Sequence, residues 1–116
     1  LISDEIYHGI TYETAAQTAR AFGPNGDNGA IIVNSFSKYY SMTGWRLGWM
    51  VVPPDLARSI ECLAQNFYIS PPAISQVAAC AAFDGSVELD GHVRAYAANR
   101  AKAQAAQQAT PAVKKP

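Results

Sequence analysis

A single lysine, Lys38, stands in the run NSFSKYYSMTGWRLGW at residues 34–49, with Ser35 and Ser37 before it and Arg46 eight positions after it. A lysine amine attacks a carbonyl to form a Schiff base once burial or a neighbouring cation lowers its pKa enough to free the lone pair. Arg46 can supply that cation. Two hydroxyls and a guanidinium also suit a phosphate, an anion that must be held by several fixed donors. Together the four side chains point to a phosphorylated carbonyl compound. The competing reading is a solvated loop lysine beside serines that satisfy turn amides, the commoner fate of these residue types. The run lacks the GxxxxGK[ST] order that wraps nucleotide phosphates in backbone amides, which disfavours nucleotide hydrolysis.

The elements around the lysine follow from hydrophobic patterning. LIS at 1–3 reads as the end of a strand, and DEIYHGITYE at 4–13 as a loop leaving a sheet. AAQTARAF at 15–22 suits a brief helix, and GPNGDNG at 23–29 an exposed loop. AIIVN at 30–34 and LGWMVVP at 47–53 are apolar on both faces, as in strands buried between layers of helices. The segment between them is too polar for a strand, so Lys38 is expected in a turn or short helix at a strand end.

From Pro54 the pattern turns helical, with Leu56, Ile60, Leu63 and Phe67 at spacings of three and four after a proline-started first turn. SPPAISQVAACAAF at 70–83 predicts a second helix, with Ser70 as N-cap and Gly85 just past its end. Residues 86–109 are rich in Ala and long side chains and predict a long helix. Its apolar face fades beyond Leu89, Val93 and Tyr96, so it is expected to need a partner surface.

Bulk properties bound the partners. At 116 residues, 49% hydrophobic and 16% charged, the chain is expected to be soluble and to hold one domain at most. Nine basic and nine acidic residues cancel, leaving no electrostatic footprint for nucleic acid or an anionic membrane. The longest apolar runs are far too short to span a bilayer, and no signal-peptide pattern is present. Cys62 and Cys80 lack metal or redox spacing and read as buried reduced thiols in a cytoplasmic protein. No metal site is expected, and His8 and His92 read as structural. Both ends have the character of a fragment, the first opening in a strand end without Met and the last running into low complexity.

With these residues placed, S-x-S-K followed by G-W-R-x-G-W resembles the lysine segment of the class I aminotransferases, which are fold-type-I pyridoxal phosphate enzymes. D-E-I-Y at 4–7 resembles that family's cofactor-contacting strand end, and the resemblance runs over about residues 1–100. It implies an α/β fold: part of a mostly parallel sheet covered by helices, then a long helix toward a small domain. Residues 1–85 would be the C-terminal part of the large cofactor-binding domain, 86–109 the connecting helix and 110–116 a disordered tail.

The resemblance implies that Lys38 holds pyridoxal 5'-phosphate as a Schiff base and shuttles the proton between the substrate Cα and the cofactor. Asp4 would pair with the pyridine nitrogen, and Tyr7 would donate to the phenolic oxygen. Ser35 and Arg46 would grip the phosphate, with Ser37 as a third contact. Tyr39, Tyr40, Trp45 and Trp49 are assigned to packing or a subunit boundary rather than to the site.

The implied activity is amino-group exchange between an amino acid and a 2-oxo acid, in a parent that is a cytoplasmic homodimer. A fold-type-I carbon-sulfur β-lyase and a non-catalytic cofactor-binding regulatory domain stay open as alternatives. The family's ring-covering aromatic, its cofactor-contacting Asn, its Gly-containing loop and its substrate-carboxylate arginine have no counterpart here. QNFYISPP at 65–72 also lacks the arginine that dicarboxylate-specific members carry before the paired prolines.

Overall fold

Three strands form one sheet in the order β1 (Ile2–Asp4), β2 (Ile31–Ser35) and β3 (Gly48–Val51). The computed structural model describes residues 1–22 and 29–109, so the loop expected at 23–29, apart from Gly29, and the tail at 110–116 lie outside the described residues. β1 and β2 run parallel, with Ile2 opposite Ile31 and Asp4 opposite Val33. β3 runs antiparallel to β2, with Val33 opposite Met50 and Ser35 opposite Gly48. The expected parallel pairing is therefore joined by a reversed strand. A parallel neighbour needs a long crossover, usually helical. Residues 36–47 hold only one short 3₁₀ turn, at Thr43–Trp45, and fold straight back.

Side chains alternate across a strand, so Ile2, Ile31, Val33 and Met50 share one face. Helix α1 (Pro54–Phe67) brings Ile60, Leu63 and Phe67 to that face, leaving an apolar cleft of about 300 Å³. It starts where predicted because Pro54 needs no amide partner in the first turn and its φ is preset for helix.

The opposite face carries Trp49, which packs with Tyr40 on a cluster of Phe36, Met42, Leu47 and Ala79. Ala79 belongs to helix α2 (Ala73–Ala82). Phe36 lies 4.9 Å from the Tyr40 ring and 5.0 Å from the Trp49 ring, centroid to centroid. These aromatics thus serve as packing. Buried Ser75 donates to the Trp45 carbonyl at 2.8 Å and pins α2 to the lysine loop.

Helix α3 (Ser86–Ala109) has its predicted extent, and its side chains beyond Ala97 are exposed. The radius of gyration is 18.6 Å, against about 13 Å for a compact domain of this length. The chain does not close around its own core, and Phe67, Ile69, Ile74, Val77 and Val87 stand exposed.

Three local expectations are corrected. The helix expected at 15–22 is only a 3₁₀ turn at Ala19–Phe22, because so short a helix without an apolar partner is marginal and the Ala19 amide is bound instead by Glu5. Ser70 does not cap α2; Pro72 stands at the cap with φ −55° and ψ 132°. A cap at Ser70 would face Pro72 two positions on, which has no N–H to give, and Pro71 is held out of the helical region by the proline after it. Cys80 is exposed and Cys62 half-buried, since α2 turns Ser75 and Ala79 to the core and Cys80 away from it.

Candidate active site

Because β1 and β2 are parallel, their carboxyl ends share one edge of the sheet, the edge at which open α/β sheets place ligands. Asp4 ends β1 and Ser35 ends β2, while Tyr7 follows on the turn after β1 and Ser37, Lys38 and Arg46 on the loop after β2. All six expected site residues thus belong to this end of the sheet or to the connections that leave it.

Two backbone bonds shape the first connection, from His8 N to Glu5 O at 3.0 Å and from Ile10 N to Tyr7 O at 2.8 Å. The exposed Asp4 carboxylate accepts the Ile6 amide at 3.2 Å, a local bond that bends the chain out of the strand. The Lys38 ammonium lies 5.4 Å from the centroid of the Tyr7 ring, within cation–π range. The fold therefore brings Lys38 and Tyr7 together from opposite connections. Lys38 is half-buried, whereas Tyr7 is 56% exposed.

Ser35 Oγ donates to the Leu47 carbonyl at 3.2 Å and accepts the Ser37 amide at 3.0 Å. It braces both ends of the lysine loop, which is the turn-satisfying role that sequence reasoning set beside phosphate binding. Arg46 adopts a left-handed conformation at φ 51° and ψ 49°, and its Nη1 donates to the Thr43 carbonyl at 3.0 Å. It borders a pocket of about 360 Å³ with Gly48, Tyr68, Ser70, Pro71 and Pro72. Lys38 and Asp4 are not among the residues that line that pocket.

Sequence reasoning missed the group that holds this edge together. Glu5 is only 3% exposed. Its Oε1 accepts the Ala19 amide at 2.8 Å and the Thr18 and Ser3 hydroxyls at 3.2 Å each, and its Oε2 meets His8 Nδ1 at 3.1 Å. Burial acts to raise the Glu5 pKa, but the bonds from Ala19, Thr18 and Ser3, with the charge of His8, outweigh it and hold the carboxyl below the usual glutamate range. Only Ser3 and His8 lie close enough in sequence to have hinted at this.

Tyr39, set aside as packing, also makes a polar contact. Its hydroxyl donates to Asp90 Oδ1 on α3 at 2.8 Å, and this bond, with burial and the carboxylate charge, raises the phenol above its ordinary pKa. Ser41 Oγ and His92 Nδ1 lie 3.2 Å apart in a second bridge to α3. His92 is thus in hydrogen-bond contact with Ser41, and His8 is paired with Glu5. Among the described residues no group of His, Cys, Asp or Glu is arranged to hold a metal ion, and no helix is long and apolar enough to cross a membrane.

Fold and edge together define an α/β segment in which the connections leaving two parallel strand ends bring a loop lysine to a phenol, with Asp4 and Ser35 ending the strands themselves. The family profile described as aminotransferase class I and II matches residues 1–110, and the chain belongs to that family. It is 53% identical over 102 residues to valine–pyruvate aminotransferase of Mycobacterium tuberculosis, covering 86% of this chain and 26% of that protein. Identity to an aspartate aminotransferase of Sulfolobus acidocaldarius is 40% over 84 residues, 72% of this chain and 21% of the relative. A solved structure from Methanococcus jannaschii, reported as similar in its active site to kynurenine aminotransferases, superposes with TM-score 0.83 at 37% identity, covering 89% of this chain and 28% of that one. The chain spans about a quarter of the length of the curated relatives it matches.

Proposed function

We propose that this chain is the lysine-bearing part of an aminotransferase that moves an amino group between an amino acid and a 2-oxo acid with pyridoxal 5'-phosphate. The observation that carries the reading is the meeting of Lys38 and Tyr7 at the carboxyl edge of the sheet, 5.4 Å from amine to ring centroid, in a chain of this family. The donor set fits the cofactor: a primary amine for an aldehyde, a carboxylate for a ring nitrogen, a phenol, and two hydroxyls with a guanidinium for a phosphate.

Pyridoxal phosphate, when bound, supplies an aldehyde for the amine and a ring that takes up the electrons left when the substrate Cα loses its proton. Lys38 would attach the cofactor through Nζ and, once released, carry the proton to and from Cα. Asp4 would accept a hydrogen bond from the ring nitrogen and keep it protonated. The Tyr7 hydroxyl would donate to the oxygen beside the aldehyde. Ser35, Ser37 and Arg46 would hold the phosphate, Ser35 by turning its one hydroxyl proton from the Leu47 carbonyl to the anion and Arg46 through the donors left beside its bond to Thr43.

In this reading the exposed apolar side chains of α1 and α2 are covered by the rest of a longer, cytoplasmic, homodimeric protein. The absence of arginine from residues 65–72 favours a substrate without a second carboxylate, as the valine–pyruvate relative suggests.

The test is chemical. Full-length protein loaded with pyridoxal phosphate and treated with borohydride is expected to carry the fixed cofactor on the peptide containing Lys38. Lys38→Ala should lose that label, with turnover falling at least about a hundredfold, as when a positioned proton carrier is removed. Undiminished fixation in Lys38→Ala would overturn the assignment.

A further inference from the structure

Tyr39 is held from three sides. Its backbone continues from Lys38, its hydroxyl reaches Asp90 at 2.8 Å, and its ring lies on Gly9, where an added Cβ would stand 2.4 Å from the ring's Cγ. Such proximity to the root of the ring leaves room only for glycine. Gly9 closes the same turn that carries Tyr7, so the residue next to the lysine is seated on the connection that bears the phenol. Helix α3 carries Asp90. It is bonded again to the lysine loop through Ser41 and His92, and Arg100 meets Glu13 at 3.6 Å and the Tyr12 ring at 5.1 Å. The helix thus lies across both connections that leave the sheet edge.

We propose that Tyr39 is a positioning residue: seated on Gly9 and tied to Asp90, it sets the Lys38 amine against Tyr7. This rests on the reading of Lys38 as the cofactor lysine. Without the Asp90 bond the ring keeps its seat on Gly9 but loses its far tether, and the loop retains Ser41–His92 as its other bridge to α3. Lys38 then samples a wider range of directions, and fewer of them present Nζ beside Tyr7. The role needs an acceptor at position 90, and an amide oxygen still supplies one to the phenol, though more weakly than a carboxylate.

The experiment follows the rate at which added pyridoxal phosphate becomes borohydride-fixed on Lys38 in full-length protein, read by peptide mass. Tyr39→Phe keeps the ring on Gly9, and Asp90 is exposed, so neither change removes core. Each of Tyr39→Phe and Asp90→Ala is expected to slow fixation about two- to tenfold, the worth of one hydrogen bond. The double variant should be no slower than either alone because both remove the same bond, and Asp90→Asn should stay within about twofold of the unaltered protein. Normal fixation rates in Tyr39→Phe and Asp90→Ala would overturn the proposal, as would an Asp90→Asn variant as slow as Asp90→Ala. Absence of fixation on Lys38 in the unaltered protein would overturn the cofactor reading itself, and this inference with it.

Discussion

Truncating Glu5 to alanine removes the acceptor on which the end of β1, the turn after it and the Thr18–Ala19 segment converge. Oε1 takes the Ala19 amide at 2.8 Å and two hydroxyls at 3.2 Å, and Oε2 meets His8 at 3.1 Å. Hydrogen bonds to a charged group are worth about 1.5–3 kcal/mol each, but those sharing one carboxylate do not add. Two effects reduce the sum: His8 is half-exposed and can be rehydrated, and desolvating the carboxylate already costs part of the gain. The expected loss for Glu5→Ala is about 3 kcal/mol, and for Glu5→Gln, whose amide oxygen still accepts from Ala19, about 1 kcal/mol.

The sign with pH follows from the lowered folded pKa of Glu5. Its contribution is fully present above the unfolded glutamate value and is lost as pH falls through the depressed folded value. Stability of the unaltered protein should therefore approach that of Glu5→Gln in acid. Urea unfolding at neutral pH and in acid, with hydrogen exchange at the Ala19 amide, measures both effects. Equal urea midpoints for the unaltered protein and the Glu5→Ala variant at neutral pH would refute the reasoning, as would a difference from Glu5→Gln that does not narrow in acid.

Two further outcomes are expected. A methyl at Gly48 would stand 2.6 Å from the Asn34 carbonyl oxygen, so Gly48→Ala should cost about 1–3 kcal/mol in urea unfolding. It should also speed exchange of the Phe36 amide, which donates to Leu47 O at 3.1 Å; unchanged exchange would mean that β3 tolerates the displacement. Exposed Cys80 should react with a thiol reagent in the folded protein faster than half-buried Cys62, and the reverse order would show that α2 presents a different face to the core.

Local signals carried much of this chain. Pro54 and the Leu56, Ile60, Leu63 and Phe67 spacing marked α1 at its observed bounds, and the breaker-poor run at 86–109 marked α3, because propensity and periodicity act within a few turns of chain. The strands expected at 30–34 and 47–53 appear at 31–35 and 48–51, with Lys38 in the loop between them. Residue types alone also singled out Lys38, Ser35, Ser37 and Arg46 as a group, whereas D-E-I-Y joined them only through the family resemblance.

What joins those residues is a matter of register and approach. Whether β3 runs with or against β2 depends on how residues 36–47 fold back, and the pairing of Ser35 with Gly48 settles only when the strands meet. Glu5 finds Thr18 thirteen positions away, and Tyr39 finds Asp90 fifty-one positions away. No periodicity links residues at such separations, since a polar side chain has no preferred distant partner until the backbone brings one within reach. The amino-acid sequence by itself determined which groups stand at the sheet edge, and the tertiary structure decided which of them touch.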